Sequence, residues 1–181
     1  MNNDSLREQI LSSEQIFKGR IVDLRILDIK LADGTVTRRE MVYHPGAVAV
    51  VPIDQDGRVV LVHQYRHGAS GVLLELPAGG LYPGEDPIEA AKRELQEEIG
   101  YVPRQLTHLG SYHVAAAYTT EAITIYLGRD LIPSRLKADY DERLIVERIA
   151  FNEALRMAET NEIRDAKTII GLMWAVRYLE S

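Results

Sequence analysis

Apolar and polar residues alternate between residues 16 and 43, which is the pattern of half-buried β-strands. The turn sequence ADGT interrupts this alternation, so the segment is predicted to form a β-hairpin. Two short β-rich runs follow, GAVAVVPI and RVVLVHQY, and the DQDG between them predicts a second hairpin. A further strand is predicted in GVLLELPAGG, where Pro and Gly mark a turn at its end.

Helical periodicity begins after this turn and covers residues 87–99. Asp86 is a suitable N-cap, Pro87 suits the first helical position, and Glu89 is expected to complete a capping box. Gly100 is a natural stop for the helix. One face is predicted to point inward, and it consists of Ile88, Ala91, Leu95 and Ile99.

The rest of the chain is predicted to contain three strands and two helices. The strands cover residues 106–113, 121–128 and 144–151, and the helices begin at Asn152 and Asp165. Four residues of the last helix are predicted to face the core: Ile169, Ile170, Met173 and Trp174. Because strands outnumber helices and do not alternate regularly with them, the pattern favours an α+β sandwich over a doubly wound sheet.

Composition narrows the classes of function. The length of 181 residues predicts one domain, with room for a small extension. A net charge of −6 argues against nucleic acid as the main partner, because its backbone is bound by clustered Lys and Arg. The absence of cysteine excludes disulfides, thiol catalysis and zinc-thiolate sites. The polar N-terminus, and the lack of an apolar run of about 18 residues, predict a cytoplasmic protein without a membrane span.

Three carboxylates, Glu94, Glu97 and Glu98, are crowded near the end of the predicted helix. Like charges at i and i+4 repel each other by about a few tenths of a kcal/mol, and carboxylates at a helix C-terminus also oppose the macrodipole. Two interpretations follow, a solvated acidic face or a site for a divalent cation. Bound Mg²⁺ or Mn²⁺ would cancel the repulsion, because hard cations take carboxylate oxygens as ligands.

The residues around this cluster decide between the two interpretations. The stretch GGLYPGEDPIEAAKRELQEEIGY resembles the Nudix box of the Nudix hydrolase family at every fixed position: Gly79, Glu85, Arg93, Glu94, Leu95, Glu97, Glu98 and Gly100. Tyr101 departs from the aliphatic residue that the family usually has there, which is a packing position. The segments IFKGRIVDL, HPGAVAVVPI, VHQYRHG, LELPAGG and DAKTIIGLMWAVRYL are similar to the ADP-ribose pyrophosphatase branch of that family.

This resemblance implies a fold, a reaction and a cofactor. The implied fold is an α/β/α sandwich of mixed sheets, with a Nudix domain at residues 44–181 and an N-terminal β extension at residues 1–43. The extension is expected to be swapped between the subunits of a homodimer. The implied reaction is hydrolysis of the pyrophosphate bond of ADP-ribose to AMP and ribose 5-phosphate, with two or more Mg²⁺ or Mn²⁺ ions per site.

The resemblance also implies metal ligands. Glu94 and Glu98 are the expected ligands, Glu97 is expected to bind a further ion, and the backbone carbonyl of Ala78 completes the site. Arg93, with Glu85, is expected to hold the loop and the helix together and to orient a glutamate.

The resemblance further implies a general base outside the box, and the matching stretch is ADYDERLIVER. Glu142 is the first candidate and Asp141 the second, whereas Tyr140 falls where some family members carry a glutamate. Glu97, acting through metal-bound water, is the remaining alternative. A solvated acidic loop without a catalytic role is the competing interpretation.

Several residues outside the box are expected to contact the substrate, each with a structural alternative. Arg66 matches a family arginine that binds phosphate, although it could instead form an exposed salt bridge. Glu75 is assigned either to metal-bound water or to pairing with a cation. Arg39 and Glu40 match adenine-contacting positions that reach across the dimer, or else lie on an exposed hairpin edge. Glu121 matches an acidic family position.

One loop departs from the branch. Typical ADP-ribose hydrolases have an SPG-type turn where this chain has HVAAAYTTEA, and in the family this loop borders the distal sugar. Another nucleoside diphosphate sugar, such as an ADP- or GDP-hexose, is therefore an alternative substrate. A sensor that binds a nucleotide sugar without cleaving it is a minor alternative, because non-catalytic relatives typically lose box glutamates that this chain retains.

Overall fold

The computed structural model describes residues 4–137, 140 and 142–179. The chain forms two compact units. The first contains the residues up to Gly46 together with His113–Ala122, and the second contains Ala47–Tyr112 and the residues from Ile123 onward. The division predicted between residues 43 and 44 stays a prediction. Within the described ranges, no helix is both long enough and apolar enough to cross a membrane.

The first unit is built around a three-stranded antiparallel sheet. A single 3-10 turn at Asp4–Leu6 precedes β1 (Gln9–Lys18), β2 (Asp23–Lys30) and β3 (Val36–Tyr43), with β2 in the centre. The predicted hairpin is confirmed as β2 and β3, and Gly34 adopts a positive φ of 90° in their turn.

Most of β1 is absent from the prediction. Its register against β2 shifts twice, between Ile10 and Ser12 and between Gln15 and Phe17. Each shift breaks the two-residue period by which a strand is recognised in a sequence, and every residue of β1 is exposed.

Two sheets form the second unit. The four-stranded sheet has the order β7 (Ala78–Gly80), β4 (Ala47–Pro52), β9 (Ala122–Pro133) and β8 (Tyr101–His113), and β4 is parallel to β9 but antiparallel to β7. The three-stranded sheet has the order β10 (Leu144–Ala150), β5 (Arg58–Arg66) and β6 (Gly71–Glu75), and it is antiparallel throughout.

The predicted hairpin of GAVAVVPI and RVVLVHQY is wrong. These runs form β4 and β5, which belong to different sheets and, in the part of the chain that the structure describes, are paired only by an isolated bridge between Ile53 and Val59. The chain does reverse direction at DQDG, where Gly57 has a φ of 73°. However, residues 48–51 and 59–61 are completely buried, and strands buried on both faces can pair with partners from anywhere in the chain.

Helices cover both faces of these sheets. On β4, Val48 and Val50 pack in one apolar cluster with Ala91 and Leu95 of α1 (Pro87–Glu98). The alternate residues of β4 pack in a second cluster with α2 (Phe151–Glu159) and α3 (Ala166–Leu179). Since successive side chains of a strand point to opposite faces, β4 lies between helical layers, and the expected α/β/α sandwich is confirmed.

Two predicted core positions are wrong. Ile88 is 43% exposed and Met173 is 57% exposed. In α1 the inward position near the N-terminus is taken by Ala90 instead, and in α3 it is Leu172 and Ala175 that are completely buried. The other three residues predicted to face inward in the first helix, Ala91, Leu95 and Ile99, are buried, so the prediction for that face is wrong only at its N-terminal position.

The start of α1 follows local capping rules. The Asp86 side chain accepts hydrogen bonds from the backbone N–H groups of Ile88, at 2.8 Å, and Glu89, at 3.4 Å, so the predicted N-cap is confirmed. The Glu89 side chain instead accepts a hydrogen bond from Lys92 at 2.7 Å, so within the described residues it completes no capping box.

Candidate active site

The loop between β7 and α1 places a glycine directly against a glutamate. A Cβ atom at Gly79 would lie 2.0 Å from Oε1 of Glu94, which is far inside van der Waals contact. Any side chain at position 79 would therefore displace the Glu94 carboxylate. This close approach gives a physical reason for the glycine at the start of the box.

Arg93 is the centre of the polar contacts around this loop. It donates to Glu85 from Nε at 2.8 Å and from Nη2 at 3.0 Å, and Nη2 also donates to the Gly80 carbonyl at 3.1 Å. Its Nη1 donates to Glu94 Oε1 at 2.6 Å and to Glu97 Oε2 at 3.1 Å. Arg93 therefore ties the loop to the helix and at the same time orients two of the three clustered glutamates.

Glu94 and Glu98 are buried, with only 7% and 5% of their surface exposed. Burial raises the pKa of Glu94 to about 7, even though Arg93 favours its ionised form. Burial also raises the pKa of Glu98, and repulsion from Glu94 adds to this effect. The surrounding protein thus does not fully offset the cost of burying these two carboxylates in their ionised forms.

A backbone group lies beside one of these carboxylates. Glu98 Oε2 accepts a hydrogen bond from the backbone N–H of Ala78 at 3.2 Å, so the residue whose carbonyl is a predicted ligand lies next to a predicted side-chain ligand. Among the described residues, no group of three or more His, Asp or Glu side chains is arranged to hold a metal ion. Glu94 and Glu97 both face Arg93.

The chemistry of this donor set fits a divalent cation. Carboxylate and carbonyl oxygens are the ligands that hard divalent cations prefer. A cation would also stabilise the ionised forms of Glu94 and Glu98, which burial alone leaves unfavourable. The residues present at the end of α1 are therefore suited to hold Mg²⁺ or Mn²⁺.

Glu142 precedes β10 and is half-buried. After burial, which is the largest cause, the charge of Glu142 contributes to the raised pKa of both Glu94 and Glu98, so it lies within electrostatic range of them. Arg143 Nη1 donates to the backbone carbonyls of Glu142 and Tyr140, each at 3.0 Å. The second candidate for the base, at position 141, lies outside the described residues.

Arg66 and Glu75 form a bidentate ion pair. Arg66 Nε donates to Glu75 Oε1 at 2.9 Å, and Nη2 donates to Oε2 at 2.7 Å. The Glu75 side chain is only 1% exposed, whereas the Arg66 side chain is 41% exposed. Of the two assignments for Glu75, the geometry favours pairing with a cation. Glu75, and after it the charge of Glu98, raises the pKa of Arg66, so the guanidinium also lies near the box.

Lys167 and Asp165 are absent from the predicted site. Lys167 lies in the first turn of α3, is 8% exposed, and forms ion pairs with Glu75 and, at 3.0 Å, with Asp165. The available signal was a lysine at the start of an otherwise apolar helix, in DAKTIIGL. Such a lysine is ordinary on a solvent-facing turn, and nothing local marks it as buried.

The other predicted substrate contacts belong to the first unit. Arg39 is half-buried on β3 and donates to Glu8 Oε1 at 2.8 Å, while its neighbour Glu40 is exposed. Glu121 is half-buried, and its Oε1 lies 4.0 Å from Nδ1 of His44. The structure thus collects Ala78, Arg93, Glu94, Glu97, Glu98, Glu142 and Arg66 in the second unit, and Arg39, Glu40 and Glu121 in the first.

Comparison with known proteins gives consistent matches over nearly the whole chain. The sequence profile of the NUDIX domain matches residues 43–171. An ADP-ribose pyrophosphatase of Bacillus subtilis (strain 168) is 35% identical over 97% of this chain and 94% of its own length. A methanol dehydrogenase activator of Bacillus methanolicus is 39% identical over 96% of this chain and 92% of its own.

A solved structure agrees with these sequence matches. The crystal structure of an ADP compounds hydrolase superposes with a TM-score of 0.86 at 28% identity, and the match covers 96% of this chain and 95% of the other. The matched profile spans most of the chain and includes the whole box at residues 79–100. The protein therefore belongs to the Nudix family.

Proposed function

We propose that this protein is a divalent-metal-dependent Nudix pyrophosphohydrolase that cleaves ADP-ribose to AMP and ribose 5-phosphate. The observation that carries the proposal is the pair of buried carboxylates, Glu94 and Glu98, in a box that matches the family. Glu98 accepts a hydrogen bond from the backbone N–H of Ala78, and Glu94 lies against Gly79. Carboxylate oxygens of this kind are suited to bind a divalent cation. A bound cation in turn attracts the negatively charged oxygens of a pyrophosphate. The similarity to an ADP-ribose pyrophosphatase supports this choice of substrate.

The proposed ligands of Mg²⁺ or Mn²⁺ are Glu94, Glu98 and the Ala78 carbonyl, with Glu97 available for a further ion. When bound, the metal neutralises phosphate oxygens and lowers the pKa of coordinated water. Arg93 has a separate task in this proposal. Because its Nη1 contacts both Glu94 and Glu97, it keeps these carboxylates beside the box loop and limits their repulsion.

Glu142 is the proposed general base. Its electrostatic influence on Glu94 and Glu98 supports a position close to the reacting water. In the reaction, a water oxygen attacks one phosphorus and the bond from that phosphorus to the bridging oxygen breaks. The water proton passes to the Glu142 carboxylate, and the leaving phosphate keeps the bridging oxygen. Glu97 is the alternative base.

Arg66 is the proposed phosphate-binding residue. Among the described residues, the hydrogen bonds of Arg66 all use Nε and Nη2, which leaves Nη1 for a substrate oxygen. The ion pair with Glu75 therefore does not compete with phosphate binding. It instead fixes one edge of the guanidinium and presents the other, which is the geometry that suits arginine for phosphate recognition.

A homodimer that uses the N-terminal sheet is part of the proposal. Four large apolar side chains of β1 are exposed in the single chain: Ile10, Leu11, Ile16 and Phe17. Exposed apolar strands at a sheet edge are normally covered, and a second copy of this chain is the proposed cover. In that arrangement residues 1–43 act as an extension of the Nudix domain at 44–181, and Arg39, Glu40 and Glu121 contact the nucleotide sugar.

A second candidate substrate is another nucleoside diphosphate sugar, such as an ADP- or GDP-hexose. The observation that favours it is the loop of the first unit that replaces the family's Pro-Gly turn. In this loop Val114 and Tyr118 expose apolar surface. A different loop at this position would define a different sugar pocket.

A panel hydrolysis assay tests the proposal. With Mg²⁺ or Mn²⁺, ADP-ribose would be compared with ADP-glucose, GDP-mannose, GDP-glucose and dinucleoside polyphosphates, and EDTA would serve as the metal-free control. Preference for ADP-ribose, lost in EDTA, is the expected result. Preference for a hexose conjugate would favour the second candidate. Tight binding without turnover of any compound would contradict both and favour a nucleotide-sugar sensor.

A further inference from the structure

Lys167 is a buried lysine whose charge is placed between two carboxylates. Only 8% of its surface is exposed, and its Nζ contacts Glu75 and Asp165. A charged side chain at this depth is costly unless it is paired. Glu75 is even more deeply buried and is shared between Lys167 and Arg66. These side chains form a line of alternating charge, which we call the Lys167 charge line: Arg66, Glu75, Lys167 and Asp165.

One end of the Lys167 charge line is Arg66, the proposed phosphate-binding residue. Burial by itself would raise the pKa of Glu75, but Arg66 and Lys167 together outweigh burial and lower it below its ordinary value. Glu75 is thus an anion held by two cations, of which Arg66 is the more exposed. Glu75 therefore contacts both the Arg66 guanidinium and the Lys167 ammonium group.

The backbone after this glutamate is fastened by the same region of α3. The N–H of Leu76 donates to Thr168 Oγ1 at 2.8 Å, and that hydroxyl donates to Asp165 Oδ2 at 2.5 Å. Two residues further on, the N–H of Ala78 donates to Glu98 at 3.2 Å. The start of α3 therefore holds the segment of residues 75–78. This segment contains both the buried carboxylate of Glu75 and Ala78, whose carbonyl is a proposed metal ligand.

This arrangement is poorly explained by stability alone. Replacing a buried ion pair by packed apolar residues is often neutral or stabilising, so such a pair is weak evidence of a stabilising role. What charged groups provide better than apolar ones is a defined direction, because hydrogen bonds fix the orientation of a guanidinium or a carboxylate.

We propose that Lys167 is a positioning residue of the hydrolytic site, which fixes Glu75 and through it the Arg66 guanidinium that receives a substrate phosphate. The inference rests on the function proposed above for Arg66. It adds a residue from outside the box, whose contact with Glu75 spans 92 positions of the sequence. Lys167 itself does not touch the substrate.

Replacing Lys167 by Met is the first test, because Met has a similar length and no charge. Glu75 would keep Arg66 as its remaining cation, and the guanidinium would be drawn out of its position. Since Arg66 binds the phosphate before and during the reaction, its displacement should act mainly on KM. We expect KM for ADP-ribose to rise by about tenfold, with a smaller change in kcat.

Two further variants separate positioning from folding. Lys167→Arg keeps the charge, and it should recover part of the lost KM. Leu172→Ala alters a completely buried residue of the same helix outside the Lys167 charge line, so it should lower stability and leave KM unchanged. If Lys167→Met does not fold, the double variant Glu75→Gln/Lys167→Met removes both charges of the pair. Its KM should equal that of Glu75→Gln alone, because Lys167 acts through Glu75, and a further rise in KM would overturn the inference.

A binding measurement keeps this test independent of turnover. Inorganic pyrophosphate with Mg²⁺ should raise the melting temperature of the wild type, and Lys167→Met should lose most of that shift. If the wild type responds to pyrophosphate without cleaving ADP-ribose, the proposed substrate is wrong. The melting-temperature shift of Lys167→Met then still tests the role of Lys167. Wild-type KM and pyrophosphate response in Lys167→Met would overturn the inference, as would equal losses in Leu172→Ala. A wild type with neither turnover nor response would overturn both proposals.

Discussion

Gly79 and Glu94 occupy adjoining space, so that a Cβ atom on the glycine would lie 2.0 Å from a carboxylate oxygen of the glutamate. This contact packs the first residue of the Nudix box against α1, the helix that carries the proposed metal ligands. It makes the position of Glu94 depend on the absence of a side chain 15 residues earlier in the sequence.

Gly79→Ala should therefore reduce kcat/KM by more than about tenfold, because the added methyl group displaces Glu94 from the proposed metal site. The matched control is Gly80→Ala, since a Cβ atom at Gly80 would meet no atom within 4 Å. Steady-state kinetics of both variants, with circular dichroism to verify folding, would measure the difference. Equal activity in the two variants would contradict the importance of this contact.

Glu98→Gln should lower turnover by orders of magnitude and leave the fold intact. The amide keeps the size of the side chain but loses the charge that a divalent cation requires. Glu89→Gln is the control, because Glu89 lies on the same helix, is exposed and pairs only with Lys92 among the side-chain hydrogen bonds of the described residues. Near wild-type turnover in Glu98→Gln would refute its assignment as a metal ligand.

The metal-free protein should become less stable as pH rises from about 4.5 to about 7. Burial raises the pKa of Glu94 from its ordinary value of 4.5 to about 7, and it also raises the pKa of Glu98. In that range the folded state still holds protons that the unfolded state has released, so the stability present below pH 4.5 is lost as pH rises through the folded pKa. For Glu94 the upper limit is roughly 3 kcal/mol.

Urea unfolding between about pH 5 and pH 8 in EDTA would measure this loss. Added Mg²⁺ should restore stability at the upper end of the range, because the ion binds the ionised carboxylates of the folded state. The double variant Glu94→Gln/Glu98→Gln should show neither the pH dependence nor the effect of Mg²⁺. Stability that rises over this range in EDTA would contradict the prediction. Carboxylates with lowered pKa, such as Glu75 and Glu85, lose their contribution as pH falls, below this range.

The protein should sediment as a dimer at micromolar concentration, because a second copy of the chain would bury the exposed apolar residues of β1. Phe17 is 57% exposed in the single chain, and Phe17→Glu should shift the equilibrium toward a monomer of about half the mass. Met173→Glu is the control, because Met173 is equally exposed but lies on α3. A wild type that sediments as a monomer would refute the dimer and the proposed roles of Arg39 and Glu40 across it.

Local signals predicted the elements whose physical causes are local. The N-cap at Asp86 depends on backbone groups two and three residues away, and the β2–β3 hairpin depends on the turn at Gly34. The spacing of the box placed Glu94 and Glu98 one helical turn apart, so their proximity followed from the pitch of the helix alone. These contacts span only a few residues, and sequence patterns describe that range well.

Tertiary structure decided everything that depends on distant partners. The sequence by itself determined the box, its helix and the α+β class, because their signals are periodic or closely spaced. Only the folded chain placed β4 and β5 in different sheets, exposed Ile88 and Met173, and buried Lys167 against Glu75. The physical reason is that neither an isolated charged residue nor a fully apolar strand has a periodic pattern that identifies its partner. Its contacts are set only when the sheets and helices pack together.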